Sequence, residues 1–565
     1  MKNIIKSTLL LLAVGSALGT FTSCKDSEDV TAPRLFRPIL SDNNIVVGLD
    51  ADTVPYIKVK WNKYTDANQY VVKAIAADGT DSMTITTDST GCIFNNLGYD
   101  KEYNIKIHSV NTVSGLQSKD YVATTMTSDF PTVLNTFTSS NIIDTQVRVT
   151  WTTDGADFDS LKVYKQSNDS LSKTVAVTSS ELTAGQKIIR GLNSKTSYRI
   201  EAYQGTAYKG KKIFSTVASE NYQGAVVDLR GLTEDDSYKF FSTSTTSTYA
   251  NAIDSIIQLY YPNQDVTFVL QGGTTYRLPT LVLPATTGKI KFVTGLSLNG
   301  EANFAVSGSF NANANTTVGG VEFSKIFFTD APLESKAKNQ ANYGGTYLFN
   351  FNGAGSDVKS INISNCTIKY KRGICRIQSA ATVDTFTIDN CIVDSIGGYG
   401  ITNADNAGAS IPNITATNCT FSSCEKTFVG TKQSVIPINK IDIENCTFVY
   451  CIADTKPIFD YKACTVATFT LKNCLFGISG KTPIDTPVSG VAGWSGTVSP
   501  IASDCFFTSD YLWVLGTDGI TPTAQIAGTK LSTNTAGTFT SPTTSNFKVI
   551  SADLVQKKVG DPRWY

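Results

Sequence analysis

The chain has 565 residues, its 48 basic residues balance its 48 acidic ones, and only 17% of all residues are charged. The balanced charge provides no general attraction for nucleic acid. The Ser, Thr, Asn and Gly residues that take the place of charge are typical of strands and turns. His108 is the single histidine, so a site with several histidines is excluded and a Ser-His-Asp triad is nearly excluded.

The first 24 residues form a predicted export signal. A charged start precedes an apolar run from Leu9 to Leu18 that is too short to span a bilayer stably, and Ser23 leads into Cys24. This segment resembles the lipobox of bacterial lipoproteins, which implies that Cys24 is lipidated; an ordinary cleavage site is the alternative. Residues 25–33 resemble the acidic tether of Bacteroidetes lipoproteins. We therefore expect a cell-surface protein of the outer membrane, held in the membrane by its lipid alone.

Two copies of one β-module follow the tether. Each copy has an alternating strand that ends in a tryptophan and, later, a leucine six residues before a tyrosine, a pattern typical of β-sandwiches. It resembles fibronectin type III modules, which implies sandwiches over residues 34–128 and 129–222 that act most simply as a spacer. The residues are Ile57, Val59, Trp61, Leu97 and Tyr103 in the first copy and Val147, Val149, Trp151, Leu192 and Tyr198 in the second.

The C-terminal part of the chain carries a repeat of 25 to 28 residues. Each copy reads apolar-x-apolar-x-Asn-Cys-x-apolar, and such a period with short alternating strands predicts a parallel β-helix with one coil per copy. Cys505 marks a degenerate sixth copy, and Val321 to Phe328 keep the same offsets with Ile326 in the cysteine position. The five complete copies contain Asn365-Cys366, Asn390-Cys391, Asn418-Cys419, Asn445-Cys446 and Asn473-Cys474.

The same register predicts a role for each residue type. Apolar side chains point inward and stack on their equivalents about 4.8 Å away, and cysteine is small and apolar enough to join them. Asparagine tolerates a left-handed bend, and its amide bonds to the asparagines above and below. We expect this ladder rather than a metal site or disulfide framework, because no C-x-x-C spacing occurs. The β-helix is assigned to residues 223–565, with a cap helix at Ala252 to Tyr261 and a C-terminal cap at Gly560 to Tyr565.

Residues 358–380 hold five cations and no acid, the strongest charge segregation in the predicted β-helix. Guanidinium and ammonium groups pair with uronate carboxylates, so a strand face with cations and aromatic rings favours an extended acidic polysaccharide. The alternative is a solvated charged surface. Asp394 occupies, one coil later, the position of Lys369 and joins the candidate site. The predicted glycan contacts are Lys369, Tyr370, Lys371, Arg372, Arg376, Asp394 and Tyr399.

Asn365-Cys366-Thr367-Ile368, Arg372-Gly373 and the closing Gly560-Asp561-Pro562-Arg563-Trp564 resemble Bacteroidetes β-helix lipoproteins of polysaccharide-utilisation systems. More distantly, the repeat is similar to the right-handed parallel β-helix of the pectate lyase superfamily. That similarity implies Arg372 or Arg376 as a catalytic base and Asp389 and Asp394 as calcium ligands. The chain lacks the W-I-D-H-type strand motif of those lyases, and two aspartates supply few of the roughly six oxygens that calcium takes.

The predicted fold is therefore all-β, with two fibronectin type III-like sandwiches followed by a right-handed parallel β-helix. The predicted function is a cell-surface glycan-binding lipoprotein that captures an acidic, pectin-like polysaccharide for an outer-membrane importer complex. No cofactor is expected for this function, and nucleic acid is not expected as a partner. The alternatives are a calcium-dependent polysaccharide lyase and a surface adhesin.

Overall fold

The computed structural model describes residues 34–232, 240–241, 252–278, 280–329, 345–431, 434–453, 455–461, 464–480 and 488–565. The predicted signal, Cys24 and the tether lie outside these residues. Within them the protein is all-β, with two β-sandwich modules followed by a parallel β-helix, and the predicted fold class is confirmed. No helix in this part of the chain is long and apolar enough to cross a membrane.

The first module packs a three-stranded antiparallel sheet against a four-stranded one. Trp61 and Tyr103 of the predicted signature are buried in its core. The Tyr103 hydroxyl accepts a hydrogen bond from the Gly98 N–H at 3.3 Å, which fixes the corner before its strand as in other sandwiches of this kind. The strands are Ile45–Leu49, Pro55–Lys60 and Gly91–Phe94 in one sheet and Gln69–Ala76, Ser82–Thr87, Glu102–Val110 and Tyr121–Met126 in the other.

The second module repeats this arrangement. Trp151 is buried, and its indole N–H donates to the Leu182 carbonyl at 3.1 Å. The Tyr198 hydroxyl accepts from the Asn193 N–H at 2.9 Å, so both copies keep the predicted tyrosine corner. The elements are strands Gln146–Thr150 and Gln186–Arg190 in one sheet, strands Ser160–Lys165, Leu171–Ala176, Ser197–Gln204 and Ala207–Ser215 in the other, and a helix at Ser179–Ala184.

Glu181 gives this module a pH-dependent helix cap. Its carboxylate accepts bonds from the Lys187 ammonium at 2.6 Å and from the Thr178 N–H at 2.9 Å, and these lower its pKa from 4.5 to about 2. A lowered carboxyl pKa stabilises the fold above the unfolded pKa, and that stability is lost as pH falls from about 4.5 towards 2. We expect hydrogen-exchange protection of residues 178–185 to fall several-fold between pH 5 and pH 3.

Glu181→Gln should show reduced protection already at pH 5 and a weaker decline on acidification, because glutamine carries no titrating charge. Asp154→Asn, at an exposed aspartate of the same module, is the matched control and should retain the wild-type decline. Equal pH dependence in the wild type and Glu181→Gln would contradict this account of the cap.

The β-helix consists of three long parallel sheets, named sheets 1, 2 and 3 in the order in which each coil enters them. Sheet 1 contains Ala225–Asp228, Val266–Leu270, Ile290–Thr294, Val321–Ser324, Ile361–Ser364, Thr385–Asp389, Asn413–Thr417, Ile438–Glu444, Val466–Lys472 and Ile501–Ser503. Sheet 2 contains Thr275–Leu278, Ala302–Val306, Ile326–Thr329, Thr367–Lys369, Ile392–Asp394, Thr420–Ser422, Thr447–Val449, Leu475–Phe476, Phe506–Phe507 and Thr529–Lys530. Sheet 3 contains Leu281–Leu283, Phe310–Ala312, Tyr347–Phe351, Gly373–Ile377, Thr402–Ala404, Val429–Gly430, Pro457–Asp460 and Ala492–Ser495.

Inward side chains stack on their equivalents in the next coil, as the repeat predicts. A short fourth sheet of Thr317–Val318, Asp357–Val358 and Thr382–Val383 closes the gap between sheets 3 and 1 in three of the coils. In sheet 2 a column of nearly parallel rings, with centroids 4.7 to 5.1 Å apart, fills the interior. Its members are Phe421, Phe448, Phe476 and Phe507.

The asparagine ladder is present at the bend between sheets 1 and 2. Its five asparagines have φ between 49° and 54°, a left-handed conformation that asparagine accepts more readily than most residues. The Asn445 amide donates to Asn418 at 3.1 Å and accepts from Asn473 at 2.8 Å. The ladder is interrupted once, because the Asn418 amide donates to Asp389 at 2.9 Å. The members are Asn365, Asn390, Asn418, Asn445 and Asn473.

The cysteine that follows each ladder asparagine is buried in the interior beside the ladder, as expected, and Cys375 is buried in sheet 3. The described cysteines are all free thiols, and ten of them are buried. Cys391 accepts a hydrogen bond from the Cys366 N–H at 3.3 Å, which is the contact expected between neighbours in one column. Burial raises the pKa of Cys375, so its thiol stays protonated. These cysteines therefore serve as small apolar core residues.

The two ends of the β-helix differ from each other. A helix at Ala252–Tyr260 occupies the predicted cap position, and its Ile253 and Ile257 are buried in the same core as Phe268. The C-terminal tail was expected to cap the β-helix, but it does not cover the last coil. Instead, it runs back along the asparagine ladder, where the backbone and side chains of the bends supply hydrogen-bond partners.

The contacts of the tail show its path. The Gly560 N–H donates to the Asn473 carbonyl at 3.0 Å, and three coils back the Arg563 guanidinium donates to the Asn390 side chain at 2.6 Å. Asp561 is fully buried and accepts from the Thr420 hydroxyl at 2.7 Å. The tail therefore forms hydrogen bonds with four successive coils along one side of the β-helix.

Candidate functional site

The predicted basic segment does not form one basic surface. Lys359 pairs with Asp384 at 3.1 Å, and Lys369 pairs with Asp394 at 3.4 Å. Lys369 and Asp394 are register partners in sheet 2, as their equal offsets predicted, and each neutralises the other. Tyr370 follows at the bend out of sheet 2, with φ of 59°. Asp384 and Asp394 come from the next coil and are distant in the sequence, and Lys359 also pairs with Asp357 of its own coil at 2.5 Å.

The prediction that Lys371 is a glycan contact is wrong. Its side chain is fully buried, and its ammonium donates to the Val306 carbonyl at 2.9 Å and to the Thr346 hydroxyl at 2.7 Å. Lys371 lies in the bend between Thr367–Lys369 of sheet 2 and Gly373–Ile377 of sheet 3, directly after the left-handed Tyr370, and this bend turns its side chain towards the interior. A polysaccharide on the surface has no access to it, so Lys371 is removed from the glycan contacts.

The two candidate calcium ligands lie on different sheets and have protein partners. Asp389, in sheet 1, accepts from the Thr417 hydroxyl at 2.5 Å and from Asn418. Asp394, in sheet 2, accepts from the Ser422 hydroxyl at 2.8 Å. No group of three or more His, Cys, Asp or Glu side chains suited to a metal occurs among the described residues. These two carboxylates therefore do not fit the oxygen-rich shell that calcium takes.

Arg372, Arg376 and Tyr399 do come together, near the end of sheet 3 at which the chain enters its strands. The Arg372 guanidinium lies 4.3 Å from the Tyr399 ring centroid, and that of Arg376 lies 5.5 Å from it. Tyr347 packs edge-on against Tyr399 with centroids 5.2 Å apart. Burial raises the pKa of Tyr347. Arg376 is also held by Asp405, whose carboxylate accepts from its Nε at 3.0 Å. Arg372 is the exposed member of the group.

Strand register extends this group into a column of four coils. Sheet 3 pairs Cys375 with Thr402, Thr402 with Val429, and Val429 with Phe459. The residues three positions before these partners are therefore equivalent in successive coils. We call them the cationic column; they are Arg372, Tyr399, Lys426 and Lys456.

A second column runs parallel to the first on the outer face of sheet 3. Arg376 pairs with Asn403, Asn403 with Gly430, and Gly430 with Asp460. We call these four residues the polar column. Gly430 has no side chain, so the column is recessed between the amide of Asn403 and the carboxylate of Asp460.

A groove of about 380 Å³ lies between the two columns. Adjacent strands are about 4.8 Å apart, so the groove follows the axis of the β-helix across several coils. Its shape therefore suits an extended chain rather than a compact small molecule. The lining residues are Gly398, Tyr399, Asn403, Lys426, Thr427, Gly430, Lys456, Pro457 and Asp460.

The groove has a positive wall. Lys426 and Lys456 line the groove, and Arg372 lies beside it against Tyr399. All three are exposed, and within the described part of the chain none of them forms an ion pair. The lysines of sheet 1 differ, because Lys472, for example, pairs with Glu444 at 2.9 Å. An unneutralised row of cations in a concave surface raises the local concentration of an anionic ligand.

Sequence reasoning found Arg372 and Arg376 beside the groove and Tyr399 within it, but missed the charged and amide side chains that line it. Asn403, Lys426, Lys456 and Asp460 were overlooked because no run of charge surrounds them. The signal that could have found them is their constant distance, in sequence positions, from the inward-facing residues of sheet 3. Reading that offset requires the register of sheet 3, and the variable loops between its strands hide the register in the sequence.

Comparisons with known proteins cover parts of the chain. A domain of unknown function (DUF5123) matches residues 441–564, and another (DUF4957) matches residues 274–424. No curated protein matches the chain. A two-domain fibronectin type III segment of chicken tenascin is 18% identical, with a TM-score of 0.17, over 32% of this chain and 100% of that one. The FN1–FN3 domains of chicken CNTN1 are 15% identical, with a TM-score of 0.15, over 33% of this chain and 69% of that one.

Proposed function

We propose that this protein is a cell-surface lipoprotein of the outer membrane that captures an acidic, pectin-like polysaccharide and passes it to a glycan importer complex. The observation that carries the proposal is the groove on sheet 3, where the cationic column faces the polar column. An enzyme is not required for this role, and binding alone accounts for the arrangement.

The repeat distances of the protein and of the ligand are compatible. One coil advances about 4.8 Å along the axis, which is close to the length of one sugar residue in an extended polymer. A chain of uronate residues in the groove would therefore offer carboxylates at the intervals at which Arg372, Lys426 and Lys456 occur. Guanidinium and ammonium groups bind carboxylates through charge-assisted hydrogen bonds.

Tyr399 supplies an apolar contact within the charged wall. Its ring is half-buried and lines the groove, and Arg372 and Tyr347 fix its orientation. A rigid ring adds contact area at low entropic cost. Lipidation of Cys24 and the two sandwich modules would serve as anchor and spacer, placing the groove away from the membrane.

The test is affinity electrophoresis of the purified protein in gels that contain polygalacturonate. Lys426→Ala combined with Lys456→Ala should weaken binding about tenfold at low salt, since each exposed ion pair contributes up to about 1 kcal/mol. The loss should shrink as salt is added, because salt screens exposed charges.

The matched control combines Lys440→Ala with Lys472→Ala, which removes the same net charge from sheet 1. Both of these lysines are ion-paired there, and the control should migrate like the wild type. Equal losses in the two double variants would show attraction by net charge alone and would contradict a groove. If the wild type binds no acidic glycan, glycan capture is contradicted and a surface adhesin becomes the better-supported function.

The same preparations test the lyase alternative. A lyase produces unsaturated uronate ends that absorb in the ultraviolet, so the wild type is incubated with polygalacturonate and calcium. We expect no rise in absorbance. A rise that Arg372→Ala abolishes would replace the binding-only function with a catalytic one.

A further inference from the structure

The polar column contains a recess beside a carboxylate with one unsatisfied oxygen. Asp460 Oδ1 is shielded from solvent and has no hydrogen-bond donor among the described residues. An unsatisfied charged oxygen is costly to keep out of water. Its carboxylate lines the groove next to Gly430, where there is no side chain to fill the space. The carboxylate therefore has unused hydrogen-bonding capacity at the wall of the groove, and a ligand hydroxyl placed against Asp460 would supply a donor to it.

The surroundings restrict what kind of donor fits. Lys426 and Lys456 line the same groove, and their charges oppose the entry of a cation or an amine. Among the described residues, Asp460 belongs to no group of three or more His, Cys, Asp or Glu side chains that could hold a metal ion. A neutral hydroxyl is compatible with both the carboxylate and the lysines. Asn403, on the other side of the recess, supplies an amide that both donates and accepts.

The two columns therefore differ in the groups they attract. The cationic column attracts carboxylates, whereas Asp460 repels them and accepts hydroxyls. A uronate ring has the same asymmetry, because its carboxylate is attached at C5 and its free hydroxyls are at C2 and C3, across the ring. The ring fits when its carboxylate edge faces the lysines and its hydroxyl edge faces Asp460.

We infer that the recess formed by Asn403, Gly430 and Asp460 is a sugar subsite that requires free ring hydroxyls and rejects O-acetylated uronate polymers. This inference rests on the proposed function and adds a specificity to it. Acetylation removes the donor that Asp460 needs and adds bulk where the recess has room only for a hydroxyl. The cations are unaffected, because acetylation leaves the carboxylates in place.

The experiment compares two probes of equal carboxylate content, polygalacturonate and its O-acetylated derivative, titrated against the full chain. The wild type should bind the unsubstituted polymer about tenfold more tightly. Asp460→Ala should lose that preference by weakening binding of the unsubstituted polymer alone, so the affinity ratio of the two probes falls to about one.

Two further variants keep the result interpretable. Gly430→Val fills the recess with a strand-forming residue and should also weaken binding of the unsubstituted polymer. Its Cβ comes within 3.0 Å of the Thr427 hydroxyl, a side chain that can rotate away. The Lys426→Ala and Lys456→Ala double variant should weaken binding of both probes equally and preserve the ratio.

The outcomes separate the subsite from the function on which it rests. A wild type that binds neither probe overturns the proposed function and the subsite with it. A wild type that binds both probes equally, or an Asp460→Ala variant that keeps the preference, overturns the subsite alone. Thermal melting of each variant identifies any loss caused by unfolding, and in that event Gly430→Val replaces the alanine variant, with an affinity ratio for the two probes that should fall towards one.

Discussion

Phe448→Ala is expected to lower the free energy of unfolding of the β-helix by about 3–5 kcal/mol, the range for removing a buried ring. Phe448 lies between Phe421 and Phe476, with centroids 5.1 and 4.8 Å away and interplanar angles of 17° and 7°. Each neighbouring ring therefore loses a stacking partner as well as apolar contact. Because coils contact only their neighbours, the loss is concentrated near this coil.

Chemical denaturation of the full chain, followed by far-ultraviolet circular dichroism, measures the change in the β-helix transition. Phe448→Leu retains most of the apolar volume and should lose less than half as much stability. Ile501→Ala, at a side chain that is 70% exposed, should be nearly neutral. A loss below 1 kcal/mol for Phe448→Ala would contradict the role of the ring column.

Asn445→Ala should destabilise the β-helix by about 2–4 kcal/mol. Alanine at a φ of 54° costs roughly 1–2 kcal/mol. The substitution also removes the bonds to Asn418 and Asn473, each worth about 1 kcal/mol. The measurement is again denaturation of the full chain.

Asn445→Gly separates these two contributions. Glycine accepts the left-handed conformation, so this variant should recover the conformational part of the loss but not the part due to the amide bonds. Asn439→Ala, at an exposed asparagine in the adjoining strand, is the control. If glycine and alanine lose equal stability, backbone conformation does not contribute and the ladder bonds alone carry the effect.

Local chemistry explains why the β-helix was predictable. The repeat places Asn445 and Cys446 at one bend, and both choices are dictated within a single coil by backbone conformation and interior space. Stacking then follows from translation, since each coil repeats the pattern of the last. The fibronectin-like modules were predictable for a similar reason, because Trp61 and Tyr103 mark core positions within one sandwich.

The candidate site was predictable only in part. Arg372 and Tyr399 belong to it, but Lys371 is buried and Lys369 is neutralised by Asp394. A run of cations along the sequence does not become a basic surface when each coil brings an acid beside it. Asp405 likewise reaches Arg376 from 29 residues away.

The sequence by itself therefore determined the all-β class, the coil repeat, the left-handed asparagine bends and the interior cysteines, because these depend on neighbours within one coil. The tertiary structure decided which charges remain unpaired and which residues share a face. Lys426 joined Arg372 only through the register of sheet 3, and Gly430 became a recess only between Asn403 and Asp460. Register between coils is set by packing across the whole β-helix, and loops of variable length conceal it in the linear sequence.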